Sequence, residues 1–68
     1  MEECAKRIRE LRFENNLTQA EFGNLISVSQ DTISLWEKGK SLPATEYIIL
    51  ICKTFKISAD CVLGLTEA

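Results

Sequence analysis

Histidine is absent from this chain, and its three cysteines, Cys4, Cys52 and Cys61, stand far apart with no Cys-x-x-Cys spacing. The first absence excludes Ser-His nucleophilic pairs and histidine metal sites. The odd, scattered cysteine count fits a reducing cytoplasm rather than a disulfide framework, with the thiols acting as small core hydrophobes. No Gly-rich phosphate loop is present. Proline occurs once, at Pro43, and glycine three times, at Gly23, Gly39 and Gly64. The longest apolar run, Tyr47 to Cys52, falls well short of the ~20 residues of a membrane span. The start, Met1-Glu2-Glu3, is acidic and unlike a signal peptide. Neither sign of charge dominates: eight basic and ten acidic residues give −2, which excludes a generally basic coat and makes any polyanion site local.

What is present is enough for one small domain. A chain of 68 residues buries roughly 60% of its unfolded surface, and 46% hydrophobic residues supply that core. A catalytic cleft of ~300 Å³ or more finds little room in it. The expectation is a non-enzyme with no cofactor, no metal, no small-molecule substrate and no membrane partner.

The sparse punctuation separates stretches of helical periodicity, so the chain reads as all-α. A first helix is expected from about Glu2 to Asn15, with Cys4, Ala5, Ile8 and Leu11 on one face. Thr18-Gln19-Ala20-Glu21 is a capping box opening a second helix, in which Phe22, Leu25 and Ile26 form the apolar stripe until Ser27-Val28 interrupts. Ser29 is a good N-cap for a third helix through about Lys38, stopped by Gly39. In it Ile33 and Trp36 share the inward face, while Gln30, Asp31, Ser34, Leu35 and Lys38 spread over the opposite one. Pro43 precedes a fourth helix, about Ala44 to Phe55, with the stripe Ile48, Ile51, Cys52 and Phe55. Ser58 caps a short fifth helix, to which Val62 and Leu63 give core contacts and which Gly64 ends.

Helices two and three, joined by about three residues, make a helix-turn-helix candidate. The wording is more specific. Leu17-Thr18-Gln19-Ala20-Glu21-Phe22, Val28-Ser29-Gln30-Asp31-Thr32-Ile33-Ser34, Trp36-Glu37-Lys38-Gly39-Lys40, Leu42-Pro43, Phe55-Lys56-Ile57-Ser58-Ala59-Asp60 and Leu63-Gly64 follow in order. Together they resemble the Cro/C1 (XRE-type) helix-turn-helix family over about residues 6 to 65. The resemblance implies a compact five-helix, lambda-repressor-like domain over residues 1–68 that binds operator DNA, usually as a two-fold dimer, with the third helix in the major groove.

Carried onto this chain, it gives base contacts to Gln30 and Asp31 in the first turn of that helix, and to Ser34 and Leu35 one turn on. Glutamine suits adenine and leucine a thymine methyl. Asp31 can accept from cytosine, or simply stabilise the helix dipole. Phosphate contacts fall to Gln19, at the start of helix two where backbone N–H groups attract anions, and to Ser29, Lys38, Lys40 and Ser41. Positions matching Arg12 and Glu37 form an internal ion pair in the family, and Glu37 lies at the border of the Ile33/Trp36 face, compatible with it. The chain departs from the family pattern at Ser27 and Lys56, where glycine is common, at Gly23, where alanine is usual, and at Leu35, usually polar or basic.

Phe13, Leu35 and Leu50 fit no core stripe, and a joined apolar patch marks a partner surface. Leu50, Cys61, Val62 and Leu65 are the candidates for a homodimer contact, which would set two third helices about 34 Å apart. The resulting expectation is a cytoplasmic bacterial or phage transcriptional regulator, a repressor acting by occupying a pseudo-palindromic operator. The alternative is a protein-interaction or antitoxin-type module on the same fold with weak DNA affinity.

Overall fold

The computed structural model describes residues 2–63. They form five α-helices: α1 (Glu2–Glu14), α2 (Gln19–Ile26), α3 (Gln30–Glu37), α4 (Thr45–Phe55) and α5 (Ala59–Leu63). The order and number match the periodicity, and the ends fall within a residue or so of the expected ones. No helix among the described residues is long and apolar enough to cross a membrane.

One core joins the helices. Cys4, Ile8 and Leu11 of α1, Phe22 and Ile26 of α2, Ile33 and Trp36 of α3, Ile48 and Ile51 of α4 and Val62 of α5 are buried together. α3 packs on α2 and α1, α5 on α1 and α4, and α4 also on α2. Phe22 and Phe55 stack with ring centroids 5.2 Å apart, and Trp36 meets Tyr47 at 5.8 Å in a tilted pair, geometries that favour aromatic contact. All three cysteines are free; Cys4 is buried while Cys52 and Cys61 are half-buried. Burial pushes the Cys4 thiol above its ordinary value.

Leu25 corrects the expected stripe of α2. It is 51% exposed, whereas Phe22 and Ile26 are fully buried. A two-turn helix offers only a narrow arc to its neighbours, and the i, i+4 pair with Gly23 between them fills it. At Gly23 the backbones approach closely: a Cβ there would lie 2.4 Å from the carbonyl oxygen of Val28. The departure from alanine at this position is therefore a packing requirement.

Four helices close in the same way. Asn16, Ser27, Gly39 and Lys56 take positive φ, between 57° and 73°. In each case the next residue donates its N–H five residues back: Leu17 to Arg12, Val28 to Gly23, Lys40 to Leu35 and Ile57 to Cys52. This is the left-handed closure that satisfies terminal carbonyls. Leu17, Val28 and Ile57 pack against the core, so the three closures lacking glycine are those whose following side chain is apolar and docks. Lys40, after Gly39, is exposed.

Candidate nucleic-acid interface

Thr18 opens α2 with a full capping box: its hydroxyl accepts from the Glu21 N–H at 3.1 Å, and the Glu21 carboxylate accepts from the Thr18 N–H at 2.8 Å. After Ile26 the left-handed Ser27 turns the chain, and Ser29 opens α3 by accepting from the Thr32 N–H at 3.2 Å. Only the backbone of 27–29 separates the two helices, so their relative angle is set by that turn and by the contact of Gly23 with Val28 and Ile33.

α3 is held on one side and open on the other. Ile33, Trp36 and Glu37 are buried. Gln30, Asp31 and Leu35 are exposed and Ser34 is half-buried. Lys38, Lys40 and Ser41 are exposed where the chain leaves the helix. The four residues assigned to base edges thus share the outward side of α3, with both lysines at its exit. Ser29 is exposed, but its hydroxyl already caps the helix and lies 3.0 Å from the Thr32 hydroxyl. The contact between Ser29 and Thr32 is not readable from composition or periodicity.

The anchor of α3 is electrostatic as well as apolar. Arg12 donates from Nε to Glu37 Oε2 at 2.7 Å and from Nη2 to Oε1 at 3.0 Å. The side chains are only 12% and 5% exposed. The third nitrogen, Nη1, donates to the Leu17 carbonyl at 3.1 Å, and the guanidinium carbon lies 4.4 Å over the Phe13 ring. The hydrogen bond to Glu37 holds the arginine above its ordinary pKa, and a two-pronged arginine–carboxylate contact fixes direction as well as distance. Gln19 adds a link the sequence does not show: its amide nitrogen lies 3.4 Å from Glu37 Oε1. The half-buried Gln19 side chain is therefore turned to the ion pair, while its backbone N–H belongs to the first turn of α2, where helix N–H groups lack intrahelical partners. With Glu37 neutralised by Arg12, the segment 28–43 keeps Lys38 and Lys40 against Asp31 alone, a small local excess of positive charge on a chain of net charge −2.

The candidates for self-association are scattered. Leu50, on α4, is 39% exposed, and Cys61 is half-buried beside Arg7 and Glu14 of α1. Val62 is 2% exposed, which agrees with its expected core contact and corrects its place among the dimer candidates: the side chain fills the core between α5 and its neighbours and cannot reach another subunit. Leu65 lies outside the described residues.

The helix-turn-helix family pattern matches residues 8–60. Among individual relatives, the chain is 37% identical over 59 residues to antitoxin PezA of Streptococcus pneumoniae serotype 4, covering 87% of this chain and 37% of that protein. It is 36% identical over 65 residues to the HTH-type transcriptional activator BcrR of Enterococcus faecalis, covering 96% and 32%. It is 30% identical over 61 residues to the uncharacterized HTH-type transcriptional regulator YgzD of Bacillus subtilis, covering 90% and 92%. The chain thus spans about a third of the length of PezA and BcrR but nearly all of YgzD. In three dimensions it is similar to the P22 c2 repressor crystallised with a synthetic operator, with a TM-score of 0.83 and 32% identity over 90% of this chain and 94% of that one. With capping, turn, core and ion pair in these positions, the chain belongs to the Cro/C1-type helix-turn-helix family.

Proposed function

We propose that this protein binds a specific double-stranded DNA sequence with α3 in the major groove and regulates transcription by occupying that site. The observation that carries the reading is the two-sidedness of α3: Ile33, Trp36 and Glu37 are fixed in the core, while Gln30, Asp31 and Leu35 point outward. A rod anchored this way presents side chains to base edges without rearrangement. Gln30 pairs with an adenine, Leu35 packs on a thymine methyl, and Asp31 and Ser34 select among the neighbouring bases. Lys38, Lys40, Ser41, Ser29 and the start of α2 at Gln19 hold the phosphates. Supporting this, the similar P22 c2 repressor was solved with its operator, and BcrR and YgzD carry the names of transcriptional regulators. The role is repression by occupancy of a pseudo-palindromic operator, in the cytoplasm, by a homodimer.

Selection of bound duplexes from a random pool tests it. The expected result is one enriched motif whose affinity falls steeply with salt as counterions are released. No enrichment, with no shift of random duplex by micromolar protein at low salt, would overturn it. That outcome would favour a protein-interaction module of antitoxin type, the reading that similarity to PezA and the exposed Phe13, Leu35 and Leu50 support.

A further inference from the structure

α4 buries Ile48 and Ile51 and turns a second apolar pair outward. Ile49 is 48% and Leu50 39% exposed. With Glu46 and Lys53, both exposed, they recur at i, i+3, i+4 and i+7, the positions of a single helix face. The order along that face is acid, apolar, apolar, base. Glu46 and Lys53 are seven residues apart, about 10.5 Å along the axis at 1.5 Å per residue, too far to meet each other. Neither takes part in an ion pair among the described residues. The face is therefore symmetric about the midpoint between Ile49 and Leu50 in position and opposite in charge.

We infer that α4 docks antiparallel on α4 of a second copy of this chain, about a two-fold axis passing between Ile49 and Leu50. A two-fold contact must be self-complementary, each position meeting its mirror in the pattern. Antiparallel pairing sets Glu46 against Lys53 of the partner subunit, twice, and brings Ile49 against Leu50 of the partner subunit. Parallel pairing would set acid on acid and base on base, so the charges select the orientation. Burial of Val62 removes the core-facing side of α5 from contention, whereas the α4 face is already exposed and costs no unfolding to use.

Sedimentation equilibrium of the full chain without DNA, at about 5–500 μM to cover a weak association, tests the contact independently of operator binding. The wild type is expected to dimerise, and Ile49→Glu to be monomeric with an unchanged far-UV circular dichroism spectrum. Glu46→Lys and Lys53→Glu each place two like-charged pairs across the axis and should weaken association about tenfold or more. Combining them restores opposite charges and should restore the dimer. A monomeric wild type, an Ile49→Glu variant that still dimerises, or a double variant no better than the singles would each overturn the contact.

Discussion

Glu37 lies in the core, and its carboxylate is matched by a two-pronged guanidinium, with the Gln19 amide close to Oε1. Removing the arginine leaves a buried charge without its counter-ion. Arg12→Ala is accordingly expected to lose about 3–5 kcal/mol of stability, read as a lower urea midpoint, and to loosen α3 because Glu37 is its last residue. Gly23 makes a second residue-scale case in which local propensity and packing disagree. Alanine would favour the helix by ~1 kcal/mol, but its Cβ would meet backbone at 2.4 Å, and backbone cannot rotate aside. Gly23→Ala is expected to destabilise by about 1–3 kcal/mol as an overpacked site, with thermal unfolding as the check. The Arg12–Glu37 pairing is legible through family resemblance, with helical phase compatible. The Gln19 and Leu17 contacts to the same pair have no sequence signal, because they depend on how α1, α2 and α3 cross.

At the scale of elements, the helix ends carry both stability and function. Three of the four left-handed closures use a residue with a side chain, Asn16, Ser27 and Lys56. That conformation costs an ordinary L-residue roughly 1–2 kcal/mol, offset here by docking Leu17, Val28 and Ile57 on the core. Ser27→Gly and Lys56→Gly should each stabilise by up to about 1 kcal/mol, a rise of roughly 4–8 °C in Tm for a domain this size; an unchanged or lower Tm would contradict the strain. α3 shows the other use of an element, a helix whose buried side leaves the opposite side open to solvent. Under the proposed function, Gln30→Ala should cost about 1–3 kcal/mol and relax preference at one base pair. Equal weakening on every sequence would deny it a base contact. Helix existence and phase are readable because capping boxes and apolar spacing are local. Leu25 departs from its expected place because an apolar spacing does not say how wide an arc the neighbours will cover.

For the whole molecule, charge placement matters more than charge total. A net charge of −2 opposes binding to a polyanion, yet the ion pair removes Glu37 from the balance and leaves Lys38 and Lys40 at the exit of α3. Replacing both lysines by alanine should weaken DNA binding on all sequences alike and reduce the slope of log K against log salt by about two, since each phosphate neutralised by a lysine supplies about 0.9 of that slope. A titration of affinity against potassium chloride distinguishes this from a change in base recognition. The exposed apolar residues distribute in the same uneven way. Phe13 lies beneath the Arg12 guanidinium, whereas Ile49 and Leu50 stand on an open face flanked by opposite charges.

The helices, their caps and most of the inward residues of each are legible in the order of amino acids alone. These depend on hydrogen bonds and periodicities that span a turn or two of chain, and the family pattern added which helix faces outward. Which apolar residues were left over and which polar ones were enclosed followed from the packing of the helices on one another. Leu25 stands exposed, Glu37 is enclosed, and Gln19 turns toward it, because burial depends on the summed geometry of several helices rather than on any one of them. A backbone contact such as that of Gly23 with Val28 exists only once two elements meet, and so no local pattern contains it.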